Sequence, residues 1–244
     1  MGGAAAVLTG ARGSRAAGLA GLLALVGLYT AFGGGLPELS TTWDVAFIAA
    51  LVMPAVFGVA WLALPWRDAR GLLPVGLALA ALALLLREAD ADTLFELSKL
   101  AALIALGFWF LSVFEELWWV VLVAAIIPLV DIASVWRGPT EYVVSEQPGF
   151  FEEIAFGFRV PGEDAYAHLG PPDVIFFALF LAGAVRFGLR AGWTWAAMTA
   201  GLGLTLVLTA VWDEVAGLPA LPAIAFGFLL PNADRIWRGL RRSG

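Results

Sequence analysis

Leu117–Trp136 reads LWWVVLVAAIIPLVDIASVW, and this stretch decides the fold class. A helix rises 1.5 Å per residue, so about 20 apolar residues cross a hydrocarbon core of ~30 Å. One charge interrupts the run, Asp131. A carboxylate at membrane depth is costly, which makes it a functional candidate by default. A second aspartate, Asp173, follows Gly170-Pro171-Pro172 and opens the apolar run Val174–Val185. A third feature, Leu218-Pro219-Ala220-Leu221-Pro222, starts the last hydrophobic segment.

The rest of the chain agrees with a membrane protein. Of 244 residues, 61% are hydrophobic and 14% are charged, which excludes an ordinary soluble domain. An open sheet cannot sit in lipid, so an all-α, polytopic helix bundle is expected. Apolar runs fall at 18–36, 44–65, 71–87, 97–113, 117–136, 173–190, 193–212 and 218–231, about eight spans. The third, fourth and eighth are short for a crossing. The first, preceded by Arg12 and Arg15, extends past Tyr29 to Gly33–Gly35 without a convincing cleavage site, and is expected to be retained. Ala6 stands where myristoylation needs Ser or Thr.

Several chemistries are excluded by count. Cysteine is absent, so disulfides and thiolate chemistry are impossible. His168 is the only histidine, and an HExxH zinc site needs two. No Gly-x-Ser-x-Gly elbow exists, and Ser134 is the only serine near Asp131. A net charge of −6 argues against nucleic acid as a partner.

Arginine placement sets an orientation. With the N-terminus inside, Arg12, Arg15, Arg67, Arg70, Arg186, Arg190, Arg235, Arg238, Arg241 and Arg242 lie inside. Arg87, Lys99, Arg137 and Arg159 then lie outside, as do Glu38, Asp90, Asp92, Asp213 and Glu214. The expectation is a cell-membrane protein with both termini inside and loop 137–171 outside. Glu115-Glu116 is an acidic turn on the inner side, expected to be wetted. The loop holds Pro139, Pro148, Gly149, Pro161 and Gly162, which break any long helix. Tyr142–Val144 and Phe156–Val160 are its candidate strands, and His168 is expected in the loop near the mouth. The chain divides into N-terminal helices, 1–114, and a core, 115–244.

This topology brings the three features to one depth. Asp131 lies about five residues before the outer end of its span, roughly 7 to 8 Å below the exit. Asp173 is in the first turn of a span that starts outside, and Pro219–Pro222 begins another. Two carboxylates close together cannot both ionise cheaply, so such a pair holds one proton between them. The charged member activates water, and the protonated member polarises a scissile carbonyl. That is aspartic-protease chemistry. The prolines keep the last helix start irregular, and backbone groups freed there can pair with an extended substrate.

On these residues the chain resembles presenilin and signal peptide peptidase, the intramembrane aspartyl proteases. Asp131-Ile-Ala-Ser-Val-Trp136 is similar to the first catalytic-aspartate motif, with Val130 where the family usually has tyrosine. Tyr166-Ala-His-Leu-Gly-Pro-Pro-Asp173 resembles the Gly-x-Gly-Asp motif, with Pro172 in place of the second glycine. Leu218–Pro222 matches the Pro-Ala-Leu motif. Order and spacing agree over residues 120–230, although the family usually has nine spans. The resemblance implies a presenilin-like core in the orientation of signal peptide peptidases. It implies an aspartic endopeptidase acting on transmembrane or signal-peptide segments. Asp131 and Asp173 would be catalytic; Gly170, Pro219, Ala220 and Leu221 would contact the substrate chain. No metal or organic cofactor is implied, and the partners are membrane peptides and the bilayer.

Each feature also has an ordinary explanation. Pro-Pro-Asp suits any helix start, because proline fits the first turn and aspartate complements the helix dipole. Asp131 alone is compatible with a polar contact between helices. Two other functions stay open: an inactive homologue that binds membrane helices, supported by Pro172, and a small proton-coupled transporter using Asp131, with helices interrupted at Pro128 and Pro219. A retinal protein is disfavoured, since the sole lysine, Lys99, falls at a predicted span end.

Overall fold

The computed structural model describes residues 2–137, 148–211 and 218–243. Apolar runs become helices because lipid offers backbone N–H and C=O groups no partner but each other. α1 (Gly2–Phe32) leads to α2 (Thr41–Trp66), which contains a widened π turn at Ile48–Val52. α3 (Leu72–Glu88) and α4 (Asp92–Leu111) form a helical hairpin whose turn holds Asp90 at φ 54°. α5 (Leu117–Arg137) carries Pro128 inside it. Then come a short α6 (Pro148–Ile154) and two strands, β1 (Phe156–Arg159) and β2 (Tyr166–Leu169). α7 (Pro171–Arg186), α8 (Ala191–Val211), α9 (Leu221–Leu229) and α10 (Ala233–Ser243) complete the chain, with a 3-10 turn at Leu230–Asn232 between the last two.

Among the described residues, five helical segments are long and apolar enough to cross a membrane: Gly13–Gly35, Thr41–Trp66, Asp92–Leu111, Leu117–Ser134 and Ala191–Val211. The chain is therefore an all-α bundle of an integral membrane protein. Its outer surface fits lipid: Leu25, Leu84, Leu129 and Leu204 are 58%, 60%, 69% and 58% exposed. In water such a belt would be an aggregation surface; in hydrocarbon it costs nothing.

α7 is the axis of the bundle. Every residue from Phe177 to Ala182 is fully buried. Phe57 of α2 stacks on Phe177 at 4.0 Å between centroids, and Phe228 of α9 stacks on Phe180 at 4.9 Å. Without a hydrophobic force between helices in lipid, close van der Waals contact holds them, and small residues permit it. A Cβ on Gly107 of α4 would stand 2.5 Å from the Ile175 carbonyl of α7. One on Gly227 of α9 would stand 2.6 Å from the Met198 nitrogen of α8. α9 packs on α5, α7 and α8 together.

Four expectations are corrected here. The fourth predicted segment, 97–113, is a 20-residue helix that begins at Asp92. Lys99 therefore lies inside that helix, 6% exposed, and not at a span end. It is tolerated there because Glu96 one turn earlier neutralises it at 2.8 Å. The last segment is a nine-residue helix that continues through the Leu230–Asn232 turn into α10, because Pro231 removes a backbone donor. His168 is a strand residue: β2 pairs antiparallel with β1, Phe156 opposite Leu169 and Gly157 opposite His168. The candidate strand at Phe156–Val160 matches β1, whereas Tyr142–Val144, Trp212, Asp213 and Glu214 lie outside the described residues.

Candidate active site

The hairpin delivers Asp173. β2 ends at Leu169, and one residue later Gly170 begins the turn into α7 at φ −59° and ψ 146°. Pro171 and Pro172 fill the first two helical positions, where the missing N–H groups would have had no intrahelical acceptor anyway. Pro172 is thus absorbed by the helix start and points outward. Asp173 follows in the first turn, and its N–H donates to the Gly170 carbonyl at 3.0 Å. Its carboxylate folds back over the Gly170 backbone. A Cβ on Gly170 would come 3.2 Å from Asp173 Oδ2, so glycine leaves room for that carboxylate. A carboxylate at the third helical position beside its cap is also ordinary for a helix start.

Asp131 is positioned by α5 and α9. Pro128, one turn before Asp131, removes one intrahelical donor from α5. Val130 points outward, 59% exposed, while Asp131 beside it is partly buried. The Asp131 Oδ2 accepts the backbone N–H of Leu221 at 3.0 Å. The Ala220 backbone lies close to the same carboxylate. The Leu221 donor belongs to the start of α9, whose first N–H groups have no intrahelical acceptor. No side chain of the Ala220 cap itself bonds there, so Asp131 supplies the missing acceptor from another helix.

The charge of Asp131 is within electrostatic reach of Asp173. The structure joins Asp131 to the start of α9 at Leu221, and sets Asp173 against Gly170. Pro219 lies in the non-helical lead-in to α9. Ser134, partly buried, is three residues beyond Asp131 on α5. Glu115 and Glu116 are exposed in the α4–α5 turn.

His168 faces the hairpin. Its ring lies 6.0 Å from Phe151 and 6.3 Å from Tyr166 between centroids. Burial pushes its imidazole below the ordinary value of 6.5, partly offset by the nearby Glu152 carboxylate.

A second charged pair supports the site and was not singled out as such from sequence. Glu96 and Lys99, both buried, meet at 2.8 Å on α4. Lys99 Nζ also donates to the Glu152 and Ala155 carbonyls at 3.0 and 2.6 Å, closing the C-terminal end of α6. Glu96 Oε2 accepts the Gly157 N–H of β1 at 2.6 Å. Helix end and strand are thus pinned to α4, and through β2 the pin reaches Gly170. The signal was present: Glu-x-x-Lys on an otherwise apolar segment is a pair that can travel together into the interior.

On the opposite edge of the hairpin, Tyr29 of α1 donates from its hydroxyl to the Arg159 carbonyl at 2.6 Å. Gly162, at φ 75°, donates its N–H to the Gly33 carbonyl at 3.0 Å. A Cβ there would stand 2.7 Å from the Glu38 backbone, so only glycine fits this closely apposed turn.

No family model matches the chain, and neither a curated protein nor a solved structure matches it.

Proposed function

We propose that this chain is an intramembrane aspartyl protease, similar to presenilin and signal peptide peptidase, that hydrolyses peptide bonds in transmembrane or signal-peptide segments. The observation that carries this proposal is the hydrogen bond from Leu221 N–H to Asp131, made with Asp173 in electrostatic reach. Capping explains Asp173 alone and a helix-to-helix contact explains Asp131 alone; the protease reading accounts for both as one site beside the hairpin.

Asp131 and Asp173 share one proton in this mechanism. The charged carboxylate takes a proton from water as its oxygen attacks the scissile carbonyl. The protonated carboxyl gives its proton to the carbonyl oxygen, forming a diol. Collapse of the diol breaks the C–N bond, and a proton goes to the leaving amine. The Leu221 N–H holds the Asp131 carboxylate in place. Gly170 admits the substrate backbone beside Asp173, and the Pro219–Leu221 element lines its docking edge. In this proposal α3, α7 and α9 also cross the membrane, giving eight spans. Both termini then face the inside of a cell membrane, and the hairpin faces outward.

The test is cleavage of a model transmembrane peptide in detergent or liposomes by wild type, Asp131→Asn and Asp173→Asn. Wild type cuts, and both variants are inactive while folded. Full activity in either variant, or no cleavage by wild type across a panel of transmembrane peptides, rejects the protease mechanism.

A further inference from the structure

At the end of the bundle away from the hairpin, a cleft of about 570 Å³ opens between the α2–α3 turn and the α4–α5 turn. Its lining includes Arg67, Arg70 and Arg186, with Asp68, Gly71 and Trp109. Two guanidiniums thus come from the α2–α3 turn and one from the end of α7, against a single carboxylate.

Each donor has spare capacity. Arg67 gives Nη1 to the Leu64 carbonyl at 3.1 Å and Nη2 to Asp68 at 3.1 Å. Its Nε is buried and has no acceptor among the described residues. Arg186 uses Nη1 on the Leu111 carbonyl, also at 3.1 Å. Arg70 is exposed and forms no ion pair among the described residues. Gly71, at φ 82°, starts α3 with no side chain capping its first turn. The positive end of a 17-residue helix therefore opens on the same cleft.

We propose that this cleft is a phosphate-binding site that takes the headgroup of an anionic phospholipid. Guanidinium forks match phosphate oxygens in pairs, and an uncapped helix start adds backbone donors and a favourable dipole. Depth selects the source. The cleft lies where the candidate spans Thr41–Trp66 and Asp92–Leu111 end, which is the level of lipid phosphates and not of bulk solution. Trp66 and Trp109 sit at the same two ends, as aromatic residues do at a bilayer interface. A bound headgroup bridges the α2–α3 turn to Arg186, the last residue of the helix that begins beside Asp173. The site does not depend on the protease proposal.

The full chain in maltoside micelles is titrated with phosphatidylglycerol, phosphatidylcholine or inorganic phosphate. Lipid retention in native mass spectra and the thermal unfolding midpoint are read. Phosphatidylglycerol is retained and raises the midpoint; phosphatidylcholine does neither. Arg70→Gln, at an exposed position with no ion pair among the described residues, weakens retention roughly 5-fold, and Arg67→Gln/Arg70→Gln roughly 30-fold. Asp68→Asn strengthens it. Arg241→Gln, an exposed arginine outside the cleft, leaves it unchanged. Equal retention of the two lipids, an unchanged affinity in both cleft variants, or an equal loss in Arg241→Gln overturns the site. A midpoint raised as far by inorganic phosphate as by phosphatidylglycerol overturns the lipid and assigns the cleft to free phosphate.

Discussion

The Asp131 carboxylate of α5 accepts the backbone N–H of Leu221, the first residue of α9, across 3.0 Å. Ninety residues separate the two in sequence. The bond gives a helix start its missing acceptor and gives a carboxylate a fixed orientation. One contact therefore serves both the packing of α9 and the geometry of the candidate site.

Stability and chemistry separate at Asp131. Asp131→Ala leaves the Leu221 N–H without its acceptor, a loss of about 1–3 kcal/mol. Asp131→Asn keeps one oxygen that can accept from Leu221 and loses less. Chemical unfolding in detergent is expected to rank wild type, Asn, Ala in falling stability, with both variants inactive. An alanine variant as stable as wild type contradicts the contact.

At Gly170 the effect falls on activity. The added methyl of Gly170→Ala meets Asp173 Oδ2 at 3.2 Å, which forces the carboxylate to shift by a few tenths of an ångström. The backbone at φ −59° accepts alanine without strain, so folding is retained. Misplacement of a reacting group costs up to about 100-fold, and peptide cleavage is expected to fall by roughly 10-fold or more. An unchanged rate with an unchanged unfolding midpoint places Gly170 outside the reacting geometry.

The Glu96–Lys99 pair is expected to behave as a unit. Lys99→Met leaves a buried carboxylate without its cation, and Glu96→Gln leaves a buried ammonium; removing one partner of a buried pair costs about 3–5 kcal/mol. The double variant Glu96→Gln/Lys99→Met removes both charges and recovers part of the loss. A double-mutant cycle of unfolding free energies measures this. Additive losses, with no recovery in the double variant, show that the pair is not coupled. Because Lys99 is the sole lysine, its reactivity toward an amine reagent reports the same clamp: low in wild type, high in Glu96→Gln.

Much of this was legible because lipid leaves the chain few choices. Apolar runs become helices wherever they occur, so the helical segments follow the hydropathy pattern closely. The meeting of Asp131 with Leu221 was foreshadowed by arginine counting, which set Asp131, Asp173 and Pro219–Pro222 at similar depth. Pattern alone failed where polar groups satisfy each other. Lys99 read as a span end because one charge in an apolar run is costly, yet with Glu96 beside it the pair is carried inside. The partner of β1 was missed because Tyr166–Leu169 has no alternation strong enough to mark a strand; its register is set by Gly157, pinned to Glu96, and by the closely apposed turn at Gly162. The cleft beside Arg186 joins parts of the chain more than a hundred residues apart, and no local spacing encodes it.

Acidification is expected to loosen the hairpin through His168. Burial holds its imidazole below the ordinary 6.5, with Glu152 pulling weakly the other way and Lys99 adding to the depression. Below that ordinary value the unfolded chain binds a proton that the folded hairpin refuses, so the unfolded state carries more protons and stability falls as pH drops. Above it both states are neutral and the contribution vanishes. Once the pH passes below the depressed folded value, both states are protonated and the loss levels off. Unfolding midpoints between about pH 7.5 and about pH 5.5 are therefore expected to drop further for wild type than for His168→Gln, which has no proton to take up. If the two chains lose the same amount over that interval, His168 is not the titrating group, and the acid sensitivity belongs to the carboxylates around it.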